Sequence, residues 1–259
     1  MNSILEMLPL LLLIFVRLTS FFIIAPLFSM RGVPNQFKIG LSFFIALVAF
    51  SSLSVEEPIE LDSFYILLII KEFGIGIALG FTAALLLYTV QVAGAFIDFQ
   101  MGFSMASVMD PQTGTQVPII GHFKYILALL FLLTVNGHHL MLDGVMQSYN
   151  LLPVESISFS AKFEDIAHFM TTLFTEMFMI ALQMALPIIG ALFLVDIALG
   201  ILAKTVPQLN IFAVGLPLKI FVGFIMLFLS MPIFFYVLQI LFQKIIESMS
   251  QLIRLLGGP

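Results

Sequence analysis

The sequence predicts an all-α integral membrane protein of about six long, partly kinked helices, and three observations carry that prediction. Hydrophobic residues fill 61% of the 259 positions and charged residues only 10%, whereas a soluble domain carries about 25% charged residues. Mean hydropathy is +1.16. The apolar residues fall in continuous, non-alternating runs rich in Leu, Ile, Met and Ala. A run of that kind satisfies its backbone in lipid as a helix.

The first segment covers 7–30. Leu8 to Val16 has the look of a secretory signal, but Glu6 precedes it in place of a basic residue. No Ala-x-Ala site follows, and the run continues past Arg17 to Leu27, so it reads as a retained membrane helix. Arg31-Gly32-Val33-Pro34-Asn35 separates it from a second segment at 39–55. Glu56-Glu57-Pro58 and Asp62-Ser63 precede the third, 64–97. A polar, plug-like loop over 98–122, broken by Asp110-Pro111-Gln112-Thr113-Gly114, leads to the fourth at 123–143. The fifth and sixth cover 166–203 and 211–243, with Pro207 and Asn210 between them. Spanning takes about 20 apolar residues, which these runs supply. The polar stretches are too short for a core of their own, so 1–259 reads as a single membrane domain.

Three segments are too long for simple crossings. A helix over 64–97 would measure about 50 Å against a hydrocarbon core of about 30 Å. Pro187 and Pro232 lie inside the other two, where each removes a backbone hydrogen bond and kinks the helix. Tilt absorbs only part of such an excess, so the surplus apolar length points to burial against other proteins.

Charge bounds the partners and the orientation. Net charge is −5 and no basic cluster exists, which argues against a nucleic-acid partner. There are no cysteines for disulfides or thiolate metal sites, and no Trp, so an interfacial belt must use the 5 Tyr and some of the 29 Phe. Arg31/Lys38 and Lys204/Lys219 mark cytoplasmic loops, and the acidic 56–62 and 144–165 stretches alternate with them, placing both termini outside. The tail, with Lys244 and Arg254 against Glu247, points the other way.

Several patterns could carry function. Gly76 and Gly80 form a GxxxG pair extended by Gly74 and Ala84, a groove for a partner helix or for one of this chain's own. Arg17, Lys71, Glu72, Asp98, Glu176, Asp196 and Lys204 lie within or at the ends of apolar runs. An ionisable group there costs about 2.5–3.5 kcal/mol unless it faces a partner, a cavity or the interface. Lys71 and Glu72 are neighbours about 100° apart around a helix, so they should not share one partner. A proton relay would need acidic groups along one face; salt bridges between helices suit the pattern better.

Met101, Met105 and Met109 recur every four residues, with Phe99 and Phe103 adding bulk and Gly102, Asp110, Pro111 and Gly114 ending the piece abruptly. Met re-packs around irregular shapes. A deformable plug and ordinary interhelical filling both fit this spacing. His139 and Asp143 are four apart, but two ligands do not make a metal site. No Ser-His-Asp, Walker, HExxH or dinucleotide pattern has its structural context, so neither enzyme chemistry nor a cofactor is expected.

The ordered motifs resemble the FliR-type flagellar biosynthesis proteins, with virulence-secretion relatives of the SpaR and YscT type. They are Ala25-Pro26 with Arg31-Gly32-Val33-Pro34, then Lys71-Glu72-Phe73-Gly74-Ile75-Gly76, then Ala93 through Gly102 and Asp110-Pro111. Asn136-Gly137-His138-His139, Ala185-Leu186-Pro187, Asp196 through Lys204, Pro207-Gln208-Leu209-Asn210 and Gly215-Leu216-Pro217-Leu218-Lys219 follow. A departure is Ala95-Phe96, where many relatives are expected to carry an acidic residue.

The resemblance implies a subunit of the type III export gate in the bacterial inner membrane, at the flagellar basal body. It implies one copy per gate, beside FliP-type, FliQ-type and an FlhB-type protein, conducting unfolded export substrates and doing no chemistry itself. It implies a gate partly above the bilayer plane, which would account for the long helices. It implies too that the loop after the third segment points into the channel as part of a plug, making Phe99, Met101, Phe103, Met105, Met109, Asp110, Pro111 and Gly114 candidate seal residues. Alternatives are the homologous injectisome subunit, or an ion-coupled secondary transporter using Lys71, Glu72, Asp98 or Asp196, with broken helices at Pro187 and Pro232.

Overall fold

A computed structural model of the chain describes residues 2–30, 32–52, 62–103, 118–155, 162–208 and 210–258. Among these residues every regular element is a helix. In chain order they are α1 (Asn2–Ile24), α2 (Asn35–Ser52), α3 (Ser63–Met101), α4 (Ile119–Thr134), α5 (Gly137–Leu151), α6 (Phe163–Thr205), α7 (Ile211–Leu229) and α8 (Met231–Gly257). Six of them (α1, α2, α3, α6, α7 and α8) are long and apolar enough to cross a membrane, and α4 with α5 forms a bent pair that meets the same test together. At about 1.5 Å per residue, the 39 residues of α3 and the 43 of α6 exceed a hydrocarbon core of about 30 Å roughly twofold.

The helix ends have local causes. Asp62 accepts from the backbone N–H groups of Phe64 and Tyr65 at 2.9 and 3.2 Å and so caps α3. Asn210 caps α7 through the Ala213 N–H. Three expected boundaries change. The single helix expected over 123–143 is two, because Asn136 adopts a left-handed conformation, φ 55°, that turns the chain between α4 and α5; Asn tolerates this region better than most residues. The expected helix over 211–243 is also two, parted at Ser230. Pro232 therefore stands in the first turn of α8, where its missing N–H costs nothing, and of the two expected kinks Pro187 is the one inside a long helix, α6. Thirdly, the ends of the expected 98–122 loop are helical: 98–101 belong to α3 and 119–122 to α4. Residues 104–117 lie outside the described residues.

The chain divides into two compact units. The first takes Met1–Leu86, Leu133–Leu173 and Gln243–Pro259. Its core comes from Leu13, Ile14, Phe21 and Phe22 of α1, Leu68, Ile75 and Leu79 of α3, and Ile245, Met249 and Leu252 of α8. Close approach of α3 to α1 depends on glycine: a methyl built on Gly76 would overlap Ser20 Oγ and the Arg17 carbonyl, and one on Gly80 would lie 3.0 Å from the Phe21 carbonyl. The GxxxG pair thus packs on a helix of this chain, whereas Gly74 faces open space and Ala84 is half-buried. The second unit takes Leu87–Leu132 and Phe174–Phe242. There α3 crosses α4 at Gly94 and Gly121, where a methyl on Gly94 would overlap the Gly121 backbone. Phe131 of α4 packs on Phe235 and Phe242 of α8, with ring centroids 5.1 and 5.9 Å away.

Candidate functional site

The charged and Met-rich residues gather at two places, one inside each unit. The first is the C-terminal end of α3, in the second unit. Met101 is fully buried against α7, in a notch left by Gly223; a methyl there would come 2.6 Å from Met101 Cε. Gly102, with φ 90°, turns the chain beside Leu216, a conformation glycine adopts without strain. Phe103 meets Phe224 of α7 edge-on at 6.5 Å. Asp196 of α6 accepts from Gln100 Nε2 at 2.8 Å and from Lys219 Nζ of α7 at 2.8 and 3.0 Å, which ties α3, α6 and α7 together. One turn earlier, the buried Asp98 carboxylate accepts from Ile120 N–H at 3.2 and 3.1 Å and from Gly121 N–H at 3.3 Å.

The second place is a buried ion cluster in the first unit. Arg17 donates to both Glu72 oxygens, at 2.5 and 2.8 Å, and to Ser148 Oγ and the Leu152 carbonyl at 2.8 and 2.9 Å. Its guanidinium lies 4.1 Å from the Tyr149 ring centre. Lys71 Nζ lies 3.0 Å from Glu72 Oε1 and donates to the carbonyls of Pro153 and Val154 at 2.6 and 3.2 Å. The neighbours Lys71 and Glu72 pair with each other but reach different further groups, Glu72 the Arg17 guanidinium and Lys71 the Pro153 and Val154 carbonyls. Bidentate Arg–carboxylate geometry with further bonds to Ser148 and the Leu152 carbonyl is what allows such charges into an apolar interior.

The remaining candidates scatter. Phe99 is 73% exposed on α3, while Phe103 is half-buried. Met105, Met109, Asp110, Pro111 and Gly114 lie outside the described residues. Lys204 is exposed in the last turn of α6, and Glu176 is half-buried in the same helix. His138 and His139 put their rings 4.1 Å apart, with Asp143 exposed one turn beyond His139. Among the described residues no group of three or more His, Asp or Glu could hold a metal ion.

Sequence reasoning missed the counterparts of its own charges. Lys219 served only as a loop charge, although it lies in α7. Ser148, Tyr149 and the 152–154 carbonyls lie in a stretch read as polar loop, and no spacing rule joins them to Arg17. Lys124, 1% exposed over the Phe234 ring at 4.6 Å, was visible as a charge near the start of an apolar run. Gly94 and Gly121 were visible as glycines; their contact needs the fold.

Residues 8–245 match the family described as bacterial export proteins, family 1. The chain belongs to that family. This family-1 export chain is similar to the flagellar biosynthetic protein FliR of Bacillus subtilis (strain 168), 49% identical over 257 residues that cover 99% of both chains. It is 32% identical to the FliR of Escherichia coli (strain K12) over 231 residues, 88% of this chain and 87% of the other. The Yop proteins translocation protein T of Yersinia pestis is 27% identical over 205 residues, 78% of each. In this family-1 chain one polar site joins α1 to α3 and to the end of α5, and the other joins the end of α3 to α6 and to the start of α4, and α6 to α7.

Proposed function

We propose that this chain is the FliR-type subunit of a flagellar type III protein export gate, and that residues 104–117 help close its channel when no unfolded substrate is passing. The match over 8–245 to the bacterial export family carries the reading. The geometry supports it: α3 ends in a clamped joint, with Gln100 on Asp196 and Met101 under Gly223, directly before the stretch that holds Met105 and Met109. A seal has to be rigid at its base and compliant at its tip; a buried Met and a shared carboxylate support the first, and the unbranched, flexible Met side chain as a residue type supports the second. In this reading the chain sits in the inner membrane with FliP-type, FliQ-type and FlhB-type proteins, as one copy per gate. The exposed apolar faces of α6 and α7 suit such neighbours: only 22% and 17% of their spanning windows are buried within the chain.

Against the ion-coupled transporter reading stand the structural contacts that engage Lys71, Glu72, Asp98 and Asp196. Similarity is higher to the flagellar relatives, at 49% and 32%, than to the Yersinia translocation protein, at 27%, so the flagellar assignment is preferred over the injectisome one.

The test is a leak measurement. Gates purified with FliP-type and FliQ-type partners and carrying Met105→Gly with Met109→Gly are expected to conduct small ions well above the unmodified assembly. Intact assembly with unchanged conductance removes the sealing role. A monodisperse monomer that binds neither partner removes the gate reading as a whole.

A further inference from the structure

We infer that Asp98 is a positioning residue: a buried helix cap, supplied from α3, that fixes where the chain re-enters the helix layer after residues 104–117. The inference deepens the reading of that segment as a seal and rests on it for its functional consequence. A helix start leaves backbone N–H groups without intrahelical partners, and a Ser, Thr, Asp or Asn just before the helix ordinarily accepts from them. Before α4 stand Val117 and Pro118, neither of which has a side-chain acceptor. The acceptor comes instead from 22 and 23 residues upstream. Asp98 reaches Ile120 N–H through both oxygens, at 3.2 and 3.1 Å, and Gly121 N–H at 3.3 Å.

The placement is enforced from both sides. Gly94, one turn before Asp98, lies against the Gly121 backbone with no room for a methyl. A Cβ on Gly121 would in turn meet the Gln91 carbonyl at 2.9 Å and Pro118 Cβ at 3.0 Å. The carboxylate is therefore held at bonding distance by a backbone crossing that cannot slide. On the same stretch of α3, Gln100 and Met101 fix the near end to α6 and α7. Residues 94–101 thus carry the contacts of both described helix ends that border residues 104–117. The Asp98 carboxyl stands at the N-terminal, positive end of α4 and offers both oxygens there, an arrangement that other polar residues reproduce only in part.

The chain contains no cysteine, so one introduced by Gln116→Cys reports on the far end alone. In the assembled gate, Asp98→Ala is expected to raise the maleimide labelling rate at that position by about fivefold, the typical effect of losing a helix cap, and by up to about thirtyfold for the largest such losses. Ion leak should rise with it. Asp98→Asn keeps one acceptor oxygen and should give a smaller rise, about twofold, since charge-assisted bonds are about twice as strong as neutral ones. Unchanged labelling in an assembled Asp98→Ala gate overturns the inference. If that variant does not assemble, Asp98→Asn labelled at the unmodified rate overturns it instead. Faster labelling without extra leak upholds Asp98 as the cap while refuting the seal.

Discussion

Glu72→Ala is expected to be more damaging than Arg17→Ala, although both remove one end of the same ion pair. Arg17 and Lys71 both lean on Glu72 Oε1, at 2.8 and 3.0 Å. Removing Glu72 leaves the Arg17 guanidinium, which is fully buried, with only the neutral acceptors Ser148 Oγ and the Leu152 carbonyl, and with the Lys71 ammonium still nearby. Breaking a buried pair in this way costs about 3–5 kcal/mol, a large share of the about 5–15 kcal/mol that holds a domain folded. Removing Arg17 leaves Glu72 with its Lys71 partner and orphans neutral groups, at about 1–3 kcal/mol, plus the space the side chain filled. Thermal unfolding of the purified protein in detergent, together with its level in the membrane, should therefore rank unmodified, Arg17→Ala and Glu72→Ala in falling order. Combining Glu72→Leu with Arg17→Met should recover part of the loss, because two well-packed apolar side chains can replace a buried ion pair. An Arg17→Ala protein less stable than the Glu72→Ala one would show that the guanidinium's packing on Tyr149 matters more than its charge.

The membrane class and the all-helical fold were legible because hydrophobic run length is a one-dimensional signal, and the bilayer makes it decisive. The buried charges were legible too: Arg17, Lys71, Glu72, Asp98 and Asp196 stand out in apolar runs. Their partners were not. Arg17 meets Ser148 and Leu152 across more than 130 residues, and only the packing of α1 on α3 and α5 brings them together. The helix boundaries that went wrong failed for local reasons. Asn136 turns the chain inside an apolar run without a proline to mark it, and Pro232 reads as a kink unless Ser230 is known to end the helix before it. Met101, one of three in the methionine stripe, is an anchor under Gly223 and not a surface residue. Spacing places residues on one helical face but does not say what that face meets. The GxxxG pair shows the same limit, since Gly76 and Gly80 belong to the chain's own interior while Gly74 remains open.

That contrast among glycines leads to the other large expected effect. At Gly94 an added methyl would run into the Gly121 backbone, and a backbone cannot rotate aside as a side chain can. Gly94→Val would have to push α3 and α4 apart at their point of closest approach. The separation would also pull Asp98, one turn away, off the Ile120 and Gly121 N–H groups, so a packing loss and a capping loss arrive together. Overpacking costs about 1–3 kcal/mol and occasionally more, and the cap adds about 1 kcal/mol; a fall of about 2–4 kcal/mol in stability is expected. Gly74→Ala is the control, because nothing lies within 4 Å of its Cβ direction. In the isolated chain it should be neutral or stabilising by up to about 1 kcal/mol, as Ala exceeds Gly in helix propensity. Detergent unfolding measures both substitutions in the free chain, and co-purification with FliP-type and FliQ-type proteins measures them in the assembly. If Gly94→Val unfolds no earlier than the unmodified chain, the α3–α4 crossing is wrong. If Gly74→Ala leaves the free chain intact yet weakens co-purification, the open end of the glycine run is where another subunit's helix comes close.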